Sequence, residues 1–294
     1  MQEKPAIDKL LEFLPGVQDL IQIDEGGFKT VYKTSINGKA EVLKVAFIPT
    51  DPNDESVYDE NKNRLLREIR ILGSSDIQEL VHLGTMAFKE FSIDDFSYII
   101  YSEEYLDGES IRKLISNGYT PSVNELAQLG LVCMTAIQYL WDTHSTIHRD
   151  IKPGNVIKTS NPNRPFVLLD LGVAYVVGGT PLTHNPSMIP GTRYYLAPEM
   201  FENDFRGSID FRSDLYGVAL LLYEFASKIN PFYEPEDQIH QTVFRIYSTT
   251  PKPLKTLRSD LPDEFCNLID ALLRKKPALR PNIKIAKKTL EKFI

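Results

Sequence analysis

The spacing of apolar residues in this 294-residue chain changes once, near Asp107-Gly108. Before that point short alternating segments dominate, and after it helical spacing dominates. Alternating apolar residues flank the turn Ile36-Asn37-Gly38-Lys39: Val31, Tyr32, Val42, Leu43 and Val45. Two β-branched runs around Asn-Gly predict a β-hairpin. A further alternating segment, Phe96 to Leu106, predicts another strand.

Helical spacing occurs once in the first part, at Asn63 to Leu72, and repeatedly in the second. Ser122 and Glu125 form a capping-box pattern that opens a long helix ending near His144. Later helices are predicted at 214–226, 235–247, 262–274 and 281–293. We therefore expect an N-terminal extension (1–17), a sheet-containing lobe (18–107) and a mostly helical lobe (108–294).

Charge is unevenly distributed over the two parts. Residues 1–107 carry 11 Lys and Arg against 21 Asp and Glu, while residues 108–294 carry 22 against 19, for a net charge of −7. An acidic chain generally binds nucleic acid poorly, because phosphate binding needs a positive protein surface. The basic stretch from Arg274 to Lys292 is interpreted as a solvated helix face.

Cysteine usage indicates a reducing compartment, and hydropathy indicates that no segment inserts into a membrane. Cys133 and Cys266 lie far apart in no metal-ligand spacing, which predicts two buried thiols rather than a disulfide. The N-terminus lacks the features of a signal peptide, and no run of about 18 apolar residues occurs. We expect a cytoplasmic protein without membrane insertion.

Two neighbouring segments carry chemistry. The first is His148-Arg149-Asp150-Ile151-Lys152-Pro153-Gly154-Asn155, and the second is Asp170-Leu171-Gly172 after an apolar run. Asp150, Asn155 and Asp170 can gather three oxygen-bearing side chains around one point, which suits Mg²⁺. Either segment alone is equally explained as a polar turn with capping residues.

Together these segments resemble the catalytic loop and metal segment of the eukaryotic-type (Hanks-type) serine/threonine protein kinases. The resemblance extends over residues 18 to 293. It implies an α+β, bilobal fold, with a small antiparallel sheet and one main helix in the N-lobe and a larger helical C-lobe. It makes Asp150 the acceptor of the substrate hydroxyl proton, Asn155 and Asp170 the metal ligands, and Lys152 a cation that stabilises the transferring phosphoryl group.

The resemblance continues in the N-terminal part. Lys44 corresponds to the lysine that holds the α- and β-phosphates, and Glu68 to its ion-pair partner. In the glycine-rich loop Gly26, Gly27 and Val31 remain as nucleotide-binding positions. Asp24 and Lys29, however, replace the outer glycines, and without the family pattern Lys44, Glu68 and Lys29 are simply surface charges. Two roles are open for Lys29, a contact with phosphate and an exposed loop position, and we expect the second.

Tyr98 to Leu106 resembles the strand and hinge that bind adenine. The backbone groups of Glu104 and Leu106 would serve as donors and acceptors. Glu103 occupies a position where the family usually has an apolar residue or Thr, and a buried carboxylate there needs a partner.

The activation segment would end at Ala197-Pro198-Glu199. By resemblance, Glu199 pairs with Arg280, and Asp214 anchors the catalytic loop. Structural or regulatory roles are also implied for several other positions: His148, Arg149, Gly172 and Thr192. Arg149 can bind a loop phosphate, and the candidate phosphorylation sites are Ser187, Thr183 and Thr180, with Ser187 first.

The sequence thus predicts a serine/threonine protein kinase that uses ATP and Mg²⁺, with Mn²⁺ as an alternative metal, acts on protein Ser/Thr hydroxyls and autophosphorylates its activation loop. A regulatory protein partner is expected, and nucleic acid is not. Two alternatives stay open: a pseudokinase that binds nucleotide or acts as a scaffold, and a small-molecule phosphotransferase of the same fold. The acidic stretch Asp51 to Asn63 either regulates the placement of the following helix or is a solvated loop, and we interpret it as a loop.

Overall fold

The computed structural model describes residues 7–25, 29–48, 56–86, 88–93, 96–171, 175–176, 193–202 and 209–294. The chain divides into two compact units. One comprises residues 1–76 and 81–106, and the other 77–80 and 107–294.

The first unit contains an antiparallel sheet of five strands in the order β1-β2-β3-β5-β4. The strands are β1 (Val17–Glu25), β2 (Lys29–Ile36), β3 (Lys39–Ile48), β4 (Lys89–Ile93) and β5 (Phe96–Glu104). The predicted hairpin is β2–β3. Its turn residues Asn37 and Gly38 have φ of 52° and 82°, the left-handed conformation that a tight two-residue hairpin turn requires.

The two faces of this sheet bury different clusters, because side chains alternate along each strand. On one face Leu10 and Leu14, from and just after helix α1 (Ile7–Phe13), pack with Tyr32 and Leu43. On the other face Leu65 packs with the buried strand residues: Ala46, Ile48, Ile99 and Tyr101. Burial of each large apolar side chain stabilises the unit by about 1.5–3 kcal/mol.

Helix α2 (Ser56–Gly73) carries Leu65 and begins seven residues before the predicted start at Asn63. The interpretation of 51–63 as a loop is therefore wrong for residues 56–63, while 51–55 lie outside the described residues. The stretch 56–63 has no Pro or Gly, and Asp59 lies in the first turn, where a carboxylate interacts favourably with the helix dipole. The polar residues of this stretch predict exposure to solvent, but an exposed segment can be a helix as well as a loop.

The second unit is mostly helical. Its α-helices are α3 (Ile111–Ser116), α4 (Val123–His144), α5 (Phe211–Ser227), α6 (Ile239–Ser248), α7 (Leu254–Leu257), α8 (Asp263–Leu272) and α9 (Ile283–Leu290). Its short strands are β6 (Gly108–Ser110), β7 (Thr146–Ile147), β8 (Val156–Thr159), β9 (Phe166–Leu168) and β10 (Tyr175–Val176). The strands pair as β6-β8-β9 and β7-β10.

Helix α5 is the centre of this unit. Every residue from Ser213 to Ala226 is buried, the pattern of a helix surrounded by protein on all sides. Helix α4, which contacts it, begins with the predicted capping box between Ser122 and Glu125. An N-terminal antiparallel sheet with one main helix and a larger helical second unit confirm the predicted fold class.

Candidate active site

Asp150 is the centre of the loop between β7 and β8. Lys152 Nζ lies 2.7 Å from Asp150 Oδ2, and Asn155 Nδ2 donates at 2.9 Å both to Oδ2 and to the backbone carbonyl of Asp150. Asp150 and Asn155 are each less than a tenth exposed. The structure thus brings together the three predicted catalytic side chains of the second unit, with one carboxylate oriented by a cation and an amide.

The backbone of this loop is held by helix α5. Asp214 accepts hydrogen bonds from the N–H groups of His148 at 2.7 Å and Arg149 at 2.9 Å. Arg149 has φ of 65°, a left-handed conformation that costs energy in a non-glycine residue. Burial raises the pKa of Asp214, although His148, Arg149 and the two N–H donors oppose the rise. Asp214 therefore anchors the segment that carries Asp150.

Asp170 follows β9 and is tied to the same loop through its neighbour. The Leu169 N–H donates to the Asn155 carbonyl at 2.8 Å, and His148 Nε2 lies 3.1 Å from the Leu169 carbonyl. Asp170 itself is half-buried and has φ of 60°, again left-handed. Strained backbone at both Arg149 and Asp170 is typical of functional loops.

The donor set of Asn155 and Asp170 fits a hard cation. Asn155 directs its amide nitrogen to Asp150, so its carbonyl oxygen faces away from that carboxylate. An amide oxygen and a carboxylate are ligands of the kind Mg²⁺ takes from protein, with phosphate and water completing the shell. In the described part of the chain, no cluster of three or more His, Cys, Asp and Glu side chains has the arrangement of a metal site.

In the first unit, Lys44 and Glu68 lie close to each other but have nearer partners. Lys44 Nζ is 3.6 Å from Glu68 Oε1 and 2.6 Å from Glu103 Oε1. Glu68, completely buried, is instead bound by Lys29, whose Nζ lies 3.1 and 2.7 Å from its two oxygens. The Tyr101 hydroxyl donates to Glu68 at 2.9 Å.

The expectation that Lys29 is an exposed loop lysine is therefore wrong. Its side chain is 16% exposed, since β2 begins at Lys29 and the strand register directs it to the face occupied by Glu68. Part of this placement could be predicted from the sequence. Val31, which matches the family pattern, lies two residues from Lys29 on the same face of the strand and is opposite Lys44.

Glu103 has the partner that a buried carboxylate needs. Its residue is 3% exposed, and burial raises its pKa, with Lys44 opposing and Glu68 reinforcing the rise. Lys44 is thus shared between two carboxylates.

Of the two predicted hinge residues, Glu104 is the last residue of β5 and Leu106 follows two positions later. The Glu104 N–H donates to the His82 carbonyl at 3.0 Å, and the Glu104 carboxylate accepts from the His82 N–H at 2.8 Å. Use of the Glu104 N–H as an adenine donor would require that group to leave the His82 carbonyl. Leu106 is half-buried, at the end of the same segment.

Other predicted residues fall into two groups. Glu199 and Arg280 are brought together as a bidentate ion pair at 2.6 and 2.7 Å. Arg280 is buried, so the interpretation of 274–292 as a solvated helix face is wrong at that position. The remaining positions lie outside the described residues: Gly26, Gly27, Gly172, Thr180, Thr183, Ser187 and Thr192.

Similarity to known proteins leads to the same family as the sequence motifs. The family model for the protein kinase domain matches residues 17–291. The chain is 28% identical over 261 residues to serine/threonine-protein kinase 36 of Pongo abelii, covering 89% of this chain and 18% of that protein. It is 31% identical over 229 residues to the serine/threonine-protein kinase RUNKEL of Arabidopsis thaliana, covering 77% and 15%. A probable serine/threonine-protein kinase of Clostridium perfringens is 24% identical over 264 residues, covering 89% and 36%.

The chain therefore belongs to the protein kinase domain family, and these curated relatives are serine/threonine protein kinases. The matched region spans between 15% and 36% of the length of these three relatives. Among the described helices, none combines the length and apolar character needed to cross a bilayer.

Proposed function

We propose that this chain is an ATP-dependent serine/threonine protein kinase that transfers the γ-phosphoryl group of ATP to Ser or Thr hydroxyls of protein substrates. The observation that carries the proposal is the orientation of the Asp150 carboxylate by Lys152 and Asn155, on a loop anchored by Asp214. A carboxylate held this firmly can accept a proton from a correctly placed hydroxyl.

In the proposed reaction the substrate hydroxyl oxygen bonds to the γ-phosphorus, while the bond from that phosphorus to the β–γ bridging oxygen breaks and ADP leaves. Asp150 accepts the hydroxyl proton, and Lys152 stabilises charge on the transferring group. A bound Mg²⁺, or Mn²⁺ in its place, would neutralise phosphate charge, and Asn155 and Asp170 would hold it. The protein's contribution is positioning and electrostatic stabilisation.

The test is phosphate transfer from radiolabelled ATP to a generic protein substrate by the wild type and by Asp150→Asn. We expect the variant to lose at least a hundredfold in rate, as removal of a positioned acid-base group typically costs about 10²–10⁴. Asp142→Asn, an exposed residue on α4, is the matched control and should behave as wild type. Equal rates in the wild type and Asp150→Asn would refute the proposal.

Autophosphorylation of the activation segment is a separate part of the proposal. Ser187, Thr183 and Thr180 are the candidate acceptors, and Arg149 of the catalytic loop is the cation that would bind the resulting phosphate. Mass spectrometry of the wild type after incubation with ATP should find phosphate in residues 178–192, and none after incubation of Asp150→Asn.

A second candidate, a pseudokinase that binds protein partners, is favoured by the closer contact of Lys44 with Glu103, at 2.6 Å, than with Glu68, at 3.6 Å. Lys44 is only 7% exposed and lies 2.6 Å from Glu103, so it would hold phosphate less strongly than a lysine whose carboxylate contact is to Glu68 alone. A thermal-shift titration separates the candidates, because a ligand that binds only the folded state raises the melting temperature. Stabilisation by ATP that requires Mg²⁺ supports the kinase, and its absence at millimolar ATP supports the pseudokinase.

We also propose a cytoplasmic location. Both cysteines are free and buried, and burial raises the pKa of the Cys133 thiol to about 12, which keeps it protonated and unreactive. Such thiols suit a reducing compartment. Fluorescence microscopy of the tagged protein in its own cells tests the location.

A further inference from the structure

Two lysines and two glutamates share one face of the sheet in the first unit. Val31 is opposite Lys44, which places Lys29, two residues earlier on β2, on the face of Lys44. Lys44 is opposite Tyr101 on β5, and Glu103 lies two residues further along that strand on the same face. Glu68 from α2 completes the group, which we call the four-charge cluster: Lys29, Lys44, Glu68 and Glu103.

Charge balance explains the pairing within the four-charge cluster. Glu103 and Glu68 are both almost completely buried, and an ionised buried carboxylate is strongly unfavourable unless a counter-ion lies beside it. Lys44, at 2.6 Å, is the counter-ion of Glu103. One lysine cannot neutralise two carboxylates, so Glu68 requires a second cation, and Lys29 supplies it at 2.7 Å.

Lys29 is also the more accessible of the two lysines. Its side chain is 16% exposed against 7% for Lys44. Lys29 Nζ donates to the two Glu68 oxygens at 3.1 and 2.7 Å and lies 3.5 Å from the Tyr101 hydroxyl, and a phosphate oxygen would take the place of that longest contact. Lys29 is therefore positioned by Glu68 and Tyr101 and retains access to solvent, where an incoming nucleotide would meet it.

We propose that Lys29 is a phosphate-binding residue of this kinase, positioned by Glu68, and that Glu103 is the positioning residue that causes this by holding Lys44. The inference rests on the proposed function and deepens it, because it names the cation on which triphosphate binding mainly depends. It also makes the importance of Lys29 depend on Glu103, because Glu103 decides whether Lys44 pairs with Glu68. Without the carboxylate of Glu103, Lys44 pairs with Glu68, 3.6 Å away, and Lys29 becomes dispensable.

The experiment measures dissociation constants of the full chain for the magnesium complex of AMP-PNP and for adenosine, by calorimetry. In the otherwise unchanged protein, we expect Lys29→Met to weaken AMP-PNP binding at least tenfold and Lys44→Met at most threefold. Adenosine binding should change less than twofold in both variants, because adenosine carries no phosphate. Lys39→Met, an exposed lysine of the same hairpin, is the matched control and should leave both constants unchanged.

The same substitutions in a Glu103→Thr background provide the decisive readout. There we expect the order to reverse, with Lys44→Met weakening AMP-PNP binding at least tenfold and Lys29→Met at most threefold. A purely structural role of Lys29 would not produce this reversal. Lys29→Arg, which keeps the charge, should restore affinity to within threefold of wild type, and Lys29→Gln replaces the methionine variant if that variant does not fold.

The outcomes separate this inference from the proposed function. If the wild type transfers phosphate and Lys29→Met binds AMP-PNP as Lys39→Met does, the role of Lys29 is refuted and the kinase remains. Equal losses for AMP-PNP and adenosine, or an unchanged order in the Glu103→Thr background, also refute it. If the wild type transfers no phosphate but shows the expected AMP-PNP pattern, the inference stands and the catalytic proposal fails. A wild type that binds no AMP-PNP overturns both.

Discussion

Glu199 and Arg280, which lie 81 positions apart, form a buried bidentate ion pair with nitrogen–oxygen distances of 2.6 and 2.7 Å. Ser213 donates a further hydrogen bond to Glu199 at 2.7 Å, and Arg280 donates to the carbonyl of Arg212 at 2.9 Å. The pair thus ties the segment around Pro198 to the start of α5 and to the segment before α9.

Replacement of Arg280 by Met should destabilise the protein by about 3–5 kcal/mol, because it leaves Glu199 buried without its cation. Urea unfolding measures the loss. The double variant with Glu199→Met should cost less than the sum of the two single variants, since it removes both charges together. Strictly additive losses would contradict the claim that the two groups compensate each other.

Replacement of Asp214 by Asn should lower the free energy of unfolding by about 2–3 kcal/mol. The amide oxygen can replace one carboxylate oxygen, but its NH₂ group would face the other backbone donor, from His148 or Arg149. We expect a fall of at least tenfold in phosphate transfer, because Asp150 follows these residues directly. Asp263→Asn, whose side chain is 76% exposed, is the control for an Asp-to-Asn change. Stability equal to that of the control would be evidence against the anchoring role.

The capping glutamate of α4 should make a pH-dependent contribution to stability. Burial acts to raise the pKa of Glu125, but hydrogen bonds from Tyr119, Ser122 and Lys158 outweigh it and lower the pKa from 4.5 to about 2. A depressed carboxyl pKa stabilises the folded state above the unfolded value and loses that effect as pH falls through the folded value. Glu125→Gln should therefore lower the free energy of unfolding by about 1 kcal/mol at pH 7. The difference from wild type should disappear as the pH falls from about 4.5 to 2.

Thermal melting of both proteins across this range measures that difference. A gap between wild type and Glu125→Gln that stays constant with pH would show that the carboxylate charge is not the source of the stabilisation.

Lys275 should destabilise the folded protein at neutral pH. Its Nζ lies 4.2 Å above the Phe232 ring, and within the described residues it has no hydrogen-bond partner. Burial, with a smaller effect of Arg280, lowers its pKa from 10.5 to about 8. Lys275→Met should raise the free energy of unfolding by about 1 kcal/mol, a modest figure because the side chain is partly exposed to solvent.

The sign of the pH dependence distinguishes this cause from better packing. A lysine with a lowered pKa in the folded state regains stability as pH rises from about 8 towards 10.5, so the advantage of Lys275→Met should vanish in that interval. Lys276→Met, an exposed neighbour, should melt as wild type does throughout. An advantage that persists above pH 10.5 would indicate packing.

Features that depend on nearby residues could be predicted from the sequence. The Asn37-Gly38 turn and the capping box of Ser122 and Glu125 follow from backbone preferences over two to four positions. The catalytic-loop side chains lie within five positions of one another, so their grouping needs little beyond one turn. The early start of α2 at Ser56 could not be read in the same way, because a polar stretch can form either a loop or an exposed helix.

The sequence by itself determined which charged groups are present and the local structure around each one. Only the tertiary structure decided which of them pair: Lys29 with Glu68, Lys44 with Glu103, and Glu199 with Arg280. The physical reason is that strand register and helix packing select the neighbours of a buried charge, and burial makes each carboxylate require a cation there. The family pattern that pairs Lys44 with Glu68 does not include the charges of Lys29 and Glu103, which form the shorter contacts and leave Lys44 and Glu68 3.6 Å apart.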